Sequence, residues 1–179
     1  LANRGILPVD VYHYINTTDE DILPPSLIMN MREERDAHQT RFTKRQSSNL
    51  IDSDCDGYTS AATLINYLIV FSPVLCRITF FIYPYGEIAG IIADTIPEGV
   101  KLVIAPDSSS NDYEVHAELA AKGIDVLVID HHEADQISEH ACIINNQLCD
   151  YPTKSLSGVG MVYKFCSYID ELLNVDFAD

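Results

Sequence analysis

Three segments of the chain gather side chains that could do metal or phosphate chemistry. The first is DSDCDG, with Asp52, Asp54 and Asp56 alternating ahead of Gly57. Residues two apart on extended backbone point the same way, so these carboxylates are expected on one face. Such a cluster repels itself, and a hard cation is the natural relief. The second is Asp107, closing the apolar run LVIAP, and the third is Asp130-His131-His132, closing DVLVI. Carboxylate and imidazole together suit Mn²⁺, Mg²⁺ or Fe²⁺ better than thiolate-loving metals.

Two familiar readings of the Asp cluster fail. An EF-hand loop beginning at Asp52 needs a bidentate Glu where Thr63 stands, and a helix where Asn49–Ile51 is a short apolar run. An aspartyl-nucleophile phosphatase fits poorly, because Asp54-x-Asp56 runs on into Gly57 and Tyr58.

The elements that must position these groups are legible as short apolar runs: Asn49–Ile51, Ile78–Tyr83, Leu102–Ala105, Val126–Ile129 and Cys142–Ile144. Apolar runs without alternation suit parallel strands covered on both sides. Between them lie helical patterns over Thr59–Val70 and over Tyr113–Lys122, the latter opened by Asp112 as N-cap and stopped at Gly123. A last helix carries the stripe Val162, Phe165, Cys166, Ile169, Leu172 and Leu173. The fold class expected is therefore α/β: an open, mainly parallel five-stranded sheet with helices on both faces, Rossmann-like, with right-handed crossovers. All three chemical segments then fall at carboxyl ends of strands, where open sheets bind ligands. Gly57 is expected to refuse a bulky side chain because the backbone turns there.

Residues 1–47 read differently, as an N-terminal helical lead-in to a domain spanning 48–179. Pro24 and Pro25 precede a charged helical stretch from Ser26 to Phe42, and Arg32, Arg35, Arg41, Lys44 and Arg45 are five of the eleven bases. They read either as a solvated helix face or as a local positive patch.

Composition bounds the rest. With 179 residues, 47% of them hydrophobic, the chain is long enough for a real core. Its 27 acids and 11 bases give a net charge of −16, a surface that repels polyanions unless metal or local bases intervene. Five cysteines without a CxxC pair read as reduced thiols. The run Ala61–Cys76 is broken by Asn66, Ser72 and Pro73, short of the ~20 apolar residues of a membrane span, and no secretory signal is read at the start.

The ordered set DSDCDGYTSAA, APDSSSND and VIDHH resembles the DHH phosphoesterase superfamily. The lead-in NRGI and the segment SGVGMVYKF are similar to its RecJ branch of single-strand-specific exonucleases, and the wording is most like the phage or prophage type. The resemblance implies Asp54 and Asp56 as metal ligands, Asp52 as a ligand or its neighbour, Asp107 as a carboxylate bridging two Mn²⁺ (or Mg²⁺) ions, and His131 as a ligand. It implies His132 at the scissile phosphate, with Asp130 orienting a His ring. The implied activity is two-metal 5′→3′ hydrolysis of single-stranded DNA in the cytoplasm of a bacterial host, with single-strand-binding protein an open candidate partner. Tyr58, Tyr83, Tyr85 and Tyr113 could stack bases, although ordinary packing is the simpler reading for most of them. The chain is expected to be an N-terminal fragment ending before the family's fourth-motif Asp, and Tyr83–Ile91 departs from the family pattern. A small-substrate DHH phosphoesterase and a non-catalytic DHH scaffold stand as alternatives.

Overall fold

A computed structural model describes residues 5–31, 47–71, 78–82 and 90–178. Five strands form one sheet: β1 (Ser47–Ile51), β2 (Ile78–Ile82), β3 (Leu102–Pro106), β4 (Asp125–Asp130) and β5 (Cys142–Asn145). They lie in the order β2-β1-β3-β4-β5, and every pairing is parallel. Among the described residues the α-helices are α1 (Val11–Ile15), α2 (Cys55–Phe71), α3 (Tyr113–Ala121) and α4 (Gly158–Leu173).

Strand geometry explains the unbroken apolar runs. Leu102 and Ile104, Leu127 and Ile129, and Cys142 and Ile144 point into one core, shared with Leu64 and Leu68 of α2 and Met161, Val162 and Phe165 of α4. Their neighbours Val103, Ala105, Val126, Val128 and Ile143 point into a second core with Leu119 of α3. Along β3, β4 and most of β5, each face therefore takes apolar residues. Fully burying each Val, Leu or Ile contributes ~1.5–3 kcal/mol, so β3 and β4 anchor the fold. Among the described residues, no helix is long and apolar enough to cross a membrane.

Three expectations need correction. Helix α2 begins at Cys55, not Thr59, so Asp56 lies in its first turn and the Asp cluster is not one extended run. Asp112 stands at the N-cap of α3, but its side chain caps nothing there; its carboxylate accepts the Ile91 N–H at 2.9 Å. The helix expected from Ser26 does not start there. Pro25–Leu27 is a single 3₁₀ turn, Ile28 is extended (φ −80, ψ 131) and Asn30 is left-handed (φ 66). Burial is the reason: Ile28 and Met31 enter the first core, and Asn30 Nδ2 donates to Ile143 O at 2.7 Å. The rest of that stretch, with its five bases, lies outside the described residues, as do Tyr83 and Tyr85.

Strand order reverses between β1 and β3. Chain leaving β1 turns toward β2 on one side, while β3, β4 and β5 continue on the other. A crevice opens at such a switch point, beyond the carboxyl ends of the strands. Asp52 follows β1 there and Asp107 follows β3.

Candidate metal centre

Asp107 ends β3 by leaving the sheet. Its N–H still bonds Ile129 O at 2.8 Å, extending the ladder by one residue, and then φ swings to +64. Asp tolerates this left-handed conformation better than most side chains. The carboxylate is 1% exposed, and neither oxygen has a hydrogen-bond donor. His131 Nε2 stands 3.2 Å from Oδ1 without the alignment of a hydrogen bond. Burial, then the nearby charge of Asp56, with lesser contributions from Asp130 and Asp54 against an opposing one from His132, pushes the Asp107 carboxyl up to about 8.

Asp130 is equally buried but fully engaged. Its Oδ1 accepts the His131 N–H (2.7 Å), the His132 N–H (3.2 Å) and His132 Nδ1 (2.8 Å), while Oδ2 accepts the Ser110 N–H at 3.2 Å. Burial alone would raise its pKa; the bonds from Ser110 and His132 outweigh it and hold the carboxyl below its ordinary value. The same pairing raises His132 despite the opposing effect of burial. An ionised carboxylate only accepts, so Nδ1 of His132 carries the proton and Nε2 is left available. Asp130→Asn is expected to drop the His132 pKa in the metal-free chain toward or below ~6.5. Imidazole NMR titration reads this directly, and an unmoved midpoint would remove Asp130 as the cause.

Asp107, His131 and His132 can each bring a ligand atom within 4.8 Å of the others. The two imidazole centroids are 4.5 Å apart. Asp56 borders this group, with Oδ2 at 3.5 Å from His131 Nε2. Its oxygens also accept the Gly158 N–H (2.7 Å) and the Val159 N–H (3.0 Å), so it pins the N-terminus of α4 against the site. Asp52 and Asp54 lie outside the cluster. Asp54 is exposed and accepts the Gly57 N–H at 2.8 Å, which starts α2; Asp52 accepts the Ser53 N–H at 2.6 Å and lines a cleft shared with His132. Gly57 is needed for close approach rather than for a turn, since a Cβ there would meet Asp52 Cβ and O at 2.6 Å. Of the tyrosines, Tyr58 is exposed, and Tyr113 donates its hydroxyl to Asn111 Oδ1 at 2.8 Å.

The donor set fits a divalent cation. A buried carboxylate with two unsatisfied oxygens facing two imidazoles lacks one thing, a positive charge.

Residues 50–179 match the model of the DHH family, N-terminal domain. The chain belongs to the DHH family. It is 40% identical, over its whole length, to YorK of Bacillus subtilis (strain 168), named as an SPbeta prophage-derived single-strand DNA-specific exonuclease, and covers 31% of that protein. The single-stranded-DNA-specific exonuclease RecJ of Bacillus subtilis is 27% identical over 90% of this chain, which spans 22% of it. Among solved structures, exonuclease RecJ bound to manganese superposes with a TM-score of 0.73 at 20% identity, covering 87% of this chain and 41% of that one. RecJ in complex with Mn²⁺ from Thermus thermophilus gives 0.66 at 20% identity, over 86% and 23%. These structures share the fold. The chain thus spans about a third or less of the curated relatives it matches.

Several residues of this DHH domain's centre escaped sequence reasoning. Gly158 is one: a Cβ there would run into the Asp107 carboxylate. Asn145 and Gln147 are others, donating to His132 O (2.9 Å) and His131 O (3.0 Å). Asn145 carried a signal, because it ends β5 on the same rim as Asp107 and Asp130.

Proposed function

We propose that this DHH domain carries the metal-binding rim of a phosphodiesterase that degrades single-stranded DNA from its 5′ end. The observation that carries the reading is the buried Asp107 carboxylate, unsatisfied on both oxygens and opposed by two imidazoles. The names of YorK and RecJ supply the substrate class.

In this reading Asp107, His131 and His132 hold the cation, with Asp56 at their border and Asp52 and Asp54 serving a second ion. Manganese or magnesium would supply Lewis-acid charge at the phosphoryl oxygens and acidify water. Asp130 keeps the His132 ring turned by its Nδ1–H, so that Nε2 is the atom left available to the cation. Asp56 holds the first turn of α4 beside Asp107, where the partial positive charge of a helix N-terminus favours anions. With a chain charge of −16, attraction of DNA to this rim depends on the cation and on bases local to it.

The test is Mn²⁺ titration followed by EPR, paired with hydrolysis of end-labelled single strands, duplexes and dinucleotides. Saturable binding at one or two sites per chain, with single strands shortened from the 5′ end, is the expected result. Preferential cleavage of dinucleotides would move the protein to the small-substrate class. Absence of specific Mn²⁺ and Mg²⁺ binding would overturn the metal reading.

A further inference from the structure

We infer that Asn145 is the positioning residue that sets the spacing between Asp107 and the two histidines. The inference rests on the metal reading above and deepens it.

Asn145 is the last residue of β5 and has no solvent exposure. Its Nδ2 donates to Ser110 Oγ at 2.8 Å and to His132 O at 2.9 Å, while Oδ1 accepts the Gln147 N–H at 2.8 Å. One amide thus uses both of its donors on two different loops. The Ser110 loop follows β3 and begins with Asp107; the His132 loop follows β4. Ser110 N–H in turn bonds Asp130 Oδ2, and Asp130 Oδ1 takes His132 Nδ1. The bonds close a ring, Asn145 to Ser110 to Asp130 to His132 and back to Asn145. Asp107 sits three residues from Ser110 on backbone that is left-handed at both Asp107 (φ 64) and Ser109 (φ 77). Such backbone persists only where its surroundings over-determine it, and Asn145 supplies a grip at its far end.

The ring contains no candidate ligand except His132, and Asn145 touches the site only through other groups. Its work is geometric. A metal centre needs its donors held to a fraction of an ångström, and groups outside the coordination sphere typically carry 10–100-fold in affinity.

Asn146 provides the matched control. It is buried on the next position, and its Nδ2 bonds Thr153 O at 2.8 Å, away from both loops. Mn²⁺ affinity of the full chain, measured by the EPR signal of free aqueous Mn²⁺, is compared for wild type, Asn145→Ala, Asn146→Ala and Ser110→Ala, alongside thermal unfolding without metal. Asn145→Ala should weaken Mn²⁺ binding ~10–100-fold and alter the spectrum of the bound ion. Asn146→Ala should lose comparable stability yet keep its affinity. Ser110→Ala removes one bond of the ring with little change in volume and should weaken binding several-fold; it decides the matter if Asn145→Ala does not fold. Wild-type affinity in a folded Asn145→Ala, equal losses at 145 and 146, or an unaffected Ser110→Ala where Asn145→Ala fails to fold, would each overturn the inference. A wild-type chain that binds no Mn²⁺ would overturn the metal reading and this inference together.

Discussion

Asp107→Asn is expected to unfold at a higher temperature than the wild type in EDTA at pH 8 to 9 and, without the chelator, to lose Mn²⁺ binding altogether. The carboxyl has a pKa of about 8 in the fold against an ordinary 3.8. Between those values the native state holds a proton that the unfolded chain releases, so stability falls as pH rises from about 4 to about 8 and levels off above. Each unit of displacement corresponds to ~1.4 kcal/mol, so several kcal/mol are at stake once the group is forced to ionise. Asn keeps the shape, tolerates the left-handed backbone and cannot ionise. Its advantage should therefore fade out toward pH 4 and below and grow as pH rises to about 8. Thermal unfolding across that range, with and without Mn²⁺, reads both effects. An Asn variant no more stable than wild type at pH 9 would show that Asp107 is not an uncompensated buried charge. If the proposed function holds, the same substitution should also abolish hydrolysis, because the most buried of the proposed ligands is gone.

A buried, unsatisfied carboxylate is costly to the fold, and that cost is what makes its position legible in the sequence. Asp107 and Asp130-His131-His132 stood out because apolar runs buried on both faces end abruptly in charge, and a parallel sheet places every such ending on one rim. Asp52, Asp54 and Asp56 stood out equally, but their spacing misled. The period-2 argument holds for extended backbone, whereas α2 begins at Cys55, so Asp54 caps the helix and Asp56 turns to the N-terminus of α4. Local hydrogen bonding decided which of the three reaches the histidines. Asn145 was hidden for a different reason. Its partners, Ser110 and His132, are distant in sequence, and an Asn at the end of a strand is an ordinary turn former. Only the register that sets Asp130 beside Asn145 reveals the grip. The charged pattern from Ser26 does not open a helix there because Ile28 and Met31 serve the core rather than a helix face.

Gly158→Ala should be strongly destabilising, and Gly160→Ala, two residues on in the same helix, should be benign. Alanine normally favours a helix over glycine by ~1 kcal/mol, so propensity predicts stabilisation at both positions. At Gly158 the added Cβ would collide with the Asp107 carboxylate, lying 2.8 Å from its Cβ. Asp107 cannot retreat, because its backbone is locked to Ile129 and its side chain is enclosed. Helix α4 would have to move instead, breaking the Gly158 and Val159 N–H bonds to Asp56 and disturbing the core under Met161 and Val162. Overpacking of this kind costs ~1–3 kcal/mol, and the loss of the Asp56 contacts adds to it. At Gly160 the nearest atom to a new Cβ is Ser157 Oγ at 3.5 Å, ordinary contact. Thermal unfolding should therefore move in opposite directions for the two variants, and Mn²⁺ affinity should fall only for Gly158→Ala. Parallel behaviour of the pair would mean that the helix N-terminus does not press on the Asp107 carboxylate. Opposite behaviour would show that this glycine is kept for the space that Asp107 occupies.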